Sequence, residues 1–347
     1  MTRVKVTMRD VADRAGVSTA SVSYAYTQPT RLTPQTLARI QDSARELGYV
    51  RDWSARALRR GRTDTVGLVL PQSVDDAFEN SYYPRFVQGV GQVCRENGLM
   101  LLLVPPADGL GMTTVAEAAA DGFIVVGLVA ERDEVVSLRA RKAPIVLVDA
   151  DPVEGIPLVG VDERAAMADL TRRLLVLGHR KFGIAGIETG EAAGHDAWTG
   201  PMRHRWDGVM DAIADFGLSD DDFTIAVAEV ASSEVGGVAA FDALRKGTTV
   251  PTVIVAFSDE IALGVMKAAR AAGVAVPAEL SVTGFDDVDA AADANPPLTT
   301  VRQPIIEKGN LAARRLVGLM AGEDVDDLTL LHATVVERDS VGAPAQS

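Results

Sequence analysis

From Thr65 onward the chain alternates short, unbroken apolar runs with longer amphipathic stretches, and this rhythm most constrains the fold. Strands that are apolar throughout are buried on both faces, which calls for parallel sheets covered by helices on either side. The strand candidates are Val66–Leu70, Leu99–Val104, Phe123–Val126, Ile145–Val148, Leu158–Val161, Phe182–Ala185, Thr224–Val227, Thr252–Ala256 and Leu280–Thr283. Helical stretches lie between most of them, including Arg85–Asn97, Ala165–Leu177, Arg205–Phe216, Val235–Arg245 and Glu260–Ala272. These are too many strands for one small sheet. Two doubly wound lobes are expected, with ligands bound beyond the carboxyl ends of the strands.

The first 62 residues are of another kind. They hold 12 of the 34 Lys and Arg but only 5 of the 48 acids, so a head of charge +7 precedes a body of −21. Such an asymmetry directs the head alone toward a polyanion. Hydrophobic residues at 47% and charged residues at 24% are ordinary for a globular chain and exclude wholesale disorder. The single cysteine, Cys94, excludes internal disulfides, and four histidines are too few for a conventional zinc cluster. No apolar run approaches the ~20 residues of a membrane span, and the N-terminus lacks a signal-peptide core. A cytoplasmic protein with no membrane partner is expected.

The head reads as three short capped helices. Thr7-Met8-Arg9-Asp10 has capping-box spacing, Val11, Ala12 and Ala15 give an apolar stripe, and Gly16 ends the first helix. Ser18 caps a second helix from about Thr19 to Tyr26. Thr33-Pro34 opens a third, which places Leu37, Ile40, Ala44 and Leu47 on one face and stops at Gly48. A short turn with glycine at its start, a small residue at Ala12 and β-branched Val22 suit a helix-turn-helix.

In order and spacing, Thr7–Ala12, Ala15–Ser18, Val22-Ser23, Leu47-Gly48-Tyr49 and Ala55–Leu58 resemble the headpiece of the lactose-repressor (LacI/GalR) family. The resemblance implies that the second helix enters the major groove, with Thr19, Ala20 and Tyr24 toward base edges and Thr7, Ser18, Ser21 and Ser23 among the DNA contacts. Tyr24 departs from the arginine of many members, which leaves the half-site sequence open. Residues 51–62 match the family's hinge, a short helix that orders on DNA. Leu58 takes the place of the leucine wedged into the minor groove, Ala55 that of the small residue where paired hinges meet, and Arg56 lies between them. Arg51-Asp52 stands where Pro-Asn is common.

The body carries no phosphate-binding glycine fingerprint, no Gly-x-Ser-x-Gly and no Ser/His/Asp set, so neither catalysis nor a cofactor is expected. His179, in Leu177-Gly178-His179-Arg180, reads as a structural turn residue, and Cys94 as core. Val66–Pro71, Asp121-Gly122-Phe123, Leu177-Gly178-His179, Arg205–Gly208, Ser258–Gly264, Leu280–Asp287 and Pro297–Val301 resemble the periplasmic-binding-protein-like core of the same family. The implied fold is an all-α helix-turn-helix headpiece plus an α/β periplasmic-binding-protein-like core of two doubly wound parallel-sheet lobes. The expected divisions are 1–50 headpiece, 51–62 hinge and 63–347 core, with one lobe at about 63–162 and 302–326 and the other at about 163–290 and 327–342. Chain crossings between lobes are placed near 160–163, 288–302 and 325–332.

By resemblance, Arg205 and Asp286 project into the inter-lobe cleft and bind polar groups of an effector. A guanidinium fork and a carboxylate also suit vicinal hydroxyls, although the two could pair with each other instead. Ser258 takes the place where asparagine is frequent, Gln303 falls on a contact position of some members, Asp149 follows a strand end facing the same cleft, and Phe78, Tyr82 and Tyr83 could line the near wall. Ser232 stands where several sugar-binding members place an aromatic. The glycine-rich stretch Glu188–Met202 borders the cleft, and its Trp198 is expected in an exposed loop, with a substitute aromatic wall as the other option. The reading is a ligand-responsive regulator, most simply a repressor, that binds a pseudopalindromic double-stranded operator as a homodimer and takes a small polar, sugar-like effector. A DNA-binding regulator with a lost or atypical effector site, constitutive or activating, is the alternative.

Overall fold

The computed structural model describes residues 6–50, 61–106, 115, 117–188, 194–219, 221–247 and 249–345. It divides into two compact units, the first ending at Thr63 and the second beginning at Asp64. The hinge candidates Ala55, Arg56 and Leu58 lie outside the described residues.

The first unit holds helices α1 (Met8–Ala15), α2 (Thr19–Thr27) and α3 (Pro34–Leu47). Each start has a side-chain cap. Thr7 and Asp10 form a capping box, the Thr7 backbone N–H donating to Asp10 Oδ2 at 2.7 Å, while Ser18 and Thr33 accept from the backbone N–H of Ser21 and Thr36. Gly16 and Gly48 end α1 and α3 at φ near +64°, a conformation glycine takes without steric cost. Val11, Ala12, Ala15, Val22, Ala25, Ile40 and Ala44 form the buried centre, edged by Met8, Val17, Leu32, Leu37, Leu47 and Tyr49.

The second unit follows the β-then-α rhythm of the sequence. Its elements begin with β1 (Thr65–Val69), α4 (Val74–Glu79), α5 (Tyr82–Glu96), β2 (Met100–Val104), β3 (Gly122–Val126), α6 (Asp133–Ala140), β4 (Ile145–Val148) and β5 (Leu158–Val161). There follow α7 (Glu163–Val176), β6 (Lys181–Ile187), α8 (Gly200–Asp215), β7 (Thr224–Val230), α9 (Glu234–Arg245), β8 (Val253–Ala256), α10 (Asp259–Ala271) and β9 (Ser281–Thr283). Last come α11 (Asp289–Asp293), β10 (Thr300–Arg302), α12 (Ile305–Ala321), β11 (Leu328–Leu331) and β12 (Thr334–Val336).

Two parallel sheets result. The first has the order β11-β5-β4-β3-β1-β2, and the second β7-β6-β8-β9. In the first lobe, α5 and α12 cover one face through Phe86, Val90, Ile305 and Leu316, and α6 covers the other through Val135 and Leu138. In the second, α7 and α8 pack on one face and α9 and α10 on the other. The α5–α12 pair is close because Gly89 and Gly309 face backbone carbonyls. A Cβ at either would collide with the carbonyl oxygen of Ile306 or Phe86.

The lobe boundaries differ from expectation at the C-terminal end. β11 hydrogen-bonds to β5, so residues 328–331 join the first lobe's sheet rather than the second lobe. β12 instead pairs antiparallel with β10, whose flanks bridge to Thr283 and Asp286 of the second lobe. The crossings therefore fall at about 161–163, 302–305 and 331–334. Isolated apolar runs do not say which edge they join, and Leu328–Leu331 lies at an edge with Leu328 and Leu330 exposed.

Candidate functional site

On the first unit, α2 buries Val22 and Ala25 and leaves Ser18, Thr19, Ala20 and Tyr24 exposed, with Ser21 and Ser23 half-buried. The spacing of the two buried residues turns the other face of the helix outward. Tyr24 does not pack on Tyr26: the Arg31 guanidinium lies 5.2 Å from the Tyr24 ring centre, while Tyr26 lies 6.4 Å from Tyr49. Thr7 and Ser18 spend their side chains on helix caps, and Ser18 Oγ also lies 3.0 Å from Ser21 Oγ.

In the second unit, the carboxyl ends of both sheets meet at a polar cluster. Asp149 follows β4, Asp286 follows β9, and Gln303 lies on the crossing between β10 and α12. All three are joined through Lys308, on the first turn of α12. Its ammonium donates to Asp149 Oδ1 and Oδ2 at 2.8 and 2.6 Å and to Gln303 Oε1 at 2.6 Å. Gln303 Nε2 donates on to Asp286 Oδ1 at 2.5 Å, and the Tyr82 hydroxyl donates to Asp149 Oδ2 at 2.6 Å. A continuous chain of hydrogen bonds thus runs from one lobe to the other. Asp149 and Asp286 have φ of +50° and +128°, conformations that cost a non-glycine residue energy and that cluster at functional sites.

Arg205, on α8, is buried beside this chain. It donates from Nη2 to Glu163 Oε1 at 3.0 Å and from Nη1 to the Phe257 carbonyl, and its guanidinium lies 3.8 Å from the Phe285 ring centre. It does not pair with Asp286. Burial pushes the Asp286 carboxyl up to about 8 and favours its acid form, against the opposing pull of Arg205. Burial likewise raises Glu163, although the Arg205 charge works against it. Neighbouring Asp287 goes the other way: burial opposes its ionisation, but bonds from Arg338 and Arg302 outweigh that and hold it low.

Of the remaining candidates, Tyr83 meets Tyr82 edge to face at 5.1 Å between ring centres. Ser258 caps α10 by accepting from the Ile261 N–H at 3.3 Å, and it accepts from the Ser232 hydroxyl at 3.0 Å. Ser232 in turn accepts from Asn80 Nδ2 of the other lobe at 3.2 Å. Phe78 is exposed on α4 and takes no part in the hydrogen-bonded cluster. Further lobe-to-lobe bonds close the rim: Ser81 Oγ to Glu260 at 2.8 Å, Arg85 to the Asp287 carbonyl at 3.0 Å, and the Gly200 N–H to Asp151 at 3.1 Å.

Trp198 corrects the expectation of an exposed loop residue, for it is only 3% exposed. Its indole packs on the face of β6 at Gly186, where a Cβ would strike the ring, and lies 5.4 Å from Phe257 and 5.9 Å from Trp206. His179 is buried with both ring nitrogens engaged, by Thr252 Oγ1 at 2.8 Å and the Gly342 carbonyl at 2.9 Å. Among the described residues no cluster of His, Cys, Asp or Glu suits a metal ion, and no helix is long and apolar enough to cross a membrane.

Lys308 and Glu163 were not anticipated. Lys308 does fall on the buried stripe Ile305, Lys308, Gly309, Ala312, Leu316 of α12, and a lysine at such a position is a signal of a paired charge. Glu163 resembles an ordinary first-turn acid.

Comparison with known proteins agrees with both units. Residues 7–52 match the family model for bacterial regulatory proteins of the lacI family, and residues 171–341 match that of a periplasmic binding protein-like domain. An HTH-type transcriptional regulator of Mycolicibacterium smegmatis is 32% identical over 98% of either chain. The solved complex of the transcriptional regulator CelR with cellobiose superposes with a TM-score of 0.71 at 26% identity, over 96% of this chain and 99% of that one. The lac repressor dimer bound to operator and the anti-inducer ONPF gives 0.82 at 22% identity, over 98% and 100%, a likeness of fold. The chain is a transcriptional regulator and belongs to the lacI family of bacterial regulatory proteins.

Proposed function

We propose that this regulator is a repressor controlled by a small polar, sugar-like effector, and that it binds a pseudopalindromic operator in cytoplasmic DNA as a homodimer. The exposed face of α2, with Thr19, Ala20 and Tyr24, reads base edges, and Ser18, Ser21 and Ser23 approach phosphates. Thr7 and the hinge residues Ala55, Arg56 and Leu58 complete the DNA contacts, Leu58 as the minor-groove wedge. In the cleft, Arg205, Asp286, Asp149, Gln303, Ser258, Tyr82 and Tyr83 surround the effector, with Phe78 at its edge. An effector acts by preferring one lobe arrangement over another, which aligns or separates the paired hinges.

The observation that carries this reading is a group of three of the six buried side-chain polar atoms left without partners among the described residues. Arg205 Nε, Glu163 Oε2 and Trp198 Nε1 are all buried and make no hydrogen bond among the described residues. Such atoms are costly unless something satisfies them, and a ligand with hydroxyl groups would do so. The alternative, a regulator with an atypical or lost effector site, draws on the self-pairing of Lys308, Asp149, Gln303 and Asp286 across the cleft.

Selection of genomic fragments by the full-length protein at physiological salt, with and without a small-molecule extract of the source cells, tests the proposal. Enrichment of one shared pseudopalindrome, altered by the extract, is expected. Enrichment that the extract leaves unchanged favours the alternative, and no enrichment in either arm contradicts the operator reading.

A further inference from the structure

Resting on the reading that the inter-lobe cleft holds the effector, we infer that the Lys308–Asp149 pair makes this cleft selective for an uncharged polyhydroxylated ligand and turns away phosphorylated or carboxylated ones. The reason is that each cation at the cleft already has a carboxylate. Lys308 is fully buried and gives its N–H groups to Asp149 and Gln303, with its ammonium 5.0 Å from the Tyr82 ring centre. Arg205 is 6% exposed and paired with Glu163. At the mouth, Arg85 pairs with Asp289 at 3.6 Å, and Arg302 and Arg338 share Asp287 at 2.5 and 2.6 Å, one on each oxygen.

The balance of charge agrees. Two buried cations, Lys308 and Arg205, stand against Asp149 and Glu163, and the third carboxyl, Asp286, favours its neutral form because burial raises it to about 8. Arg205, Asp259, Gln303 and Lys308 act on Asp286, and Asp286 in turn acts on the Tyr82 and Tyr83 hydroxyls. A phosphate or carboxylate entering this site would shed its water and find no uncommitted cation, an arrangement that is strongly unfavourable. Of the six buried side-chain polar atoms without a partner among the described residues, three belong to the Arg205 neighbourhood: the N–H groups at Arg205 Nε and Trp198 Nε1, and the acceptor Glu163 Oε2. A hydroxyl both donates and accepts, so a polyol meets all three without bringing in charge.

The test titrates the full-length protein with inorganic phosphate, ribose 5-phosphate, ribose and cellobiose at fixed ionic strength, following the melting temperature and the heat of binding. In the wild type, about 10 mM of either phosphate compound is expected to raise the melting temperature no more than matched chloride does. Asp149→Asn removes the carboxylate from Lys308 and is expected to tighten phosphate binding by about tenfold or more. Asp149→Asn/Lys308→Met is expected to abolish that gain, and Asp149→Ala replaces Asp149→Asn if the latter does not fold.

Two results overturn the inference while leaving the cleft reading intact. One is wild-type binding of ribose 5-phosphate that the double variant abolishes. The other is a folded Asp149 variant with no gain in phosphate affinity. Sugar or sugar-phosphate binding that neither Arg205→Ala nor the double variant alters would instead place the ligand outside the cleft, and both the reading and the inference would fall. The wild-type arm decides without any variant: a phosphorylated sugar bound more tightly than its uncharged parent contradicts the selectivity.

Discussion

Arg205 donates to Glu163 at 3.0 Å, not to Asp286, and the two carboxyls on either side of it take different roles. Glu163 is the counter-ion, sitting at the start of α7 just past the first crossing. Asp286 is tied to Gln303 on the second crossing. The guanidinium is therefore held in place by the protein through Glu163, and Asp286 through Gln303.

Removing the counter-ion should cost more than removing its charge. Glu163→Ala leaves a buried guanidinium unpaired and is expected to destabilise the core by about 3–5 kcal/mol. Glu163→Gln keeps an acceptor for Arg205 and should cost less than half as much. Urea denaturation followed by tryptophan emission measures both, and equal losses would show that the neutral acceptor adds nothing and that Arg205 needs the charge alone.

The pH dependence of stability has a definite sign. Asp286 is raised from 3.8 to about 8, so the folded state retains a proton that the unfolded chain gives up. That contribution is complete below about pH 4 and is lost as pH climbs toward and through about 8. Asp259, raised to about 6 chiefly by burial, acts in the same sense at lower pH. His179, lowered by burial, acts in the opposite sense below its usual 6.5. Between pH 7 and 9 the melting temperature should fall by about 3 °C or more, and Asp286→Asn should flatten the slope. A wild-type melting temperature that is level or rises over this range would be inconsistent with a neutral Asp286.

Trp198 gives an optical handle on the second lobe. Gly186→Ala puts a Cβ against the indole and should cost about 1–3 kcal/mol, with a red shift of emission as the ring moves toward water. An unchanged spectrum and melting temperature would mean that the indole does not rest on β6.

For the hinge, Leu58→Ala should weaken operator binding by about tenfold or more while leaving effector affinity intact. Anisotropy on a selected operator reads the first, and calorimetry the second. Equal operator affinity in the variant would remove the wedge from the account.

What was legible in the sequence tracks how local the signal is. Caps at Thr7, Ser18 and Thr33 and the left-handed stops at Gly16 and Gly48 are written in neighbouring residues, and the headpiece helices could be placed from them. The buried strands announced themselves by unbroken apolar runs. Arg205 and Asp286 lie in recognisable runs, so both could be named as candidates from sequence alone. Lys308, by contrast, needs Asp149 and Gln303 to come within hydrogen-bond distance from 159 and 5 residues away, and only the folded crossings bring that about. Trp198 is buried because Gly186 leaves room on β6, a relationship between a loop and a strand that no local pattern encodes. The placement of Leu328–Leu331 failed for a similar reason, since an edge strand can join either sheet until its partner is known.

The central claim is that a ligand in the Arg205–Asp286 cleft controls operator binding. Its most direct test is operator affinity, measured by fluorescence anisotropy on a selected fragment with a panel of uncharged sugars including cellobiose and ribose, for the wild type, Arg205→Ala and Asp286→Ala. One sugar should change wild-type affinity by about tenfold or more, and both variants should lose that response while keeping sugar-free affinity within about threefold. No response in the wild type, or an undiminished response in both variants, would contradict the account.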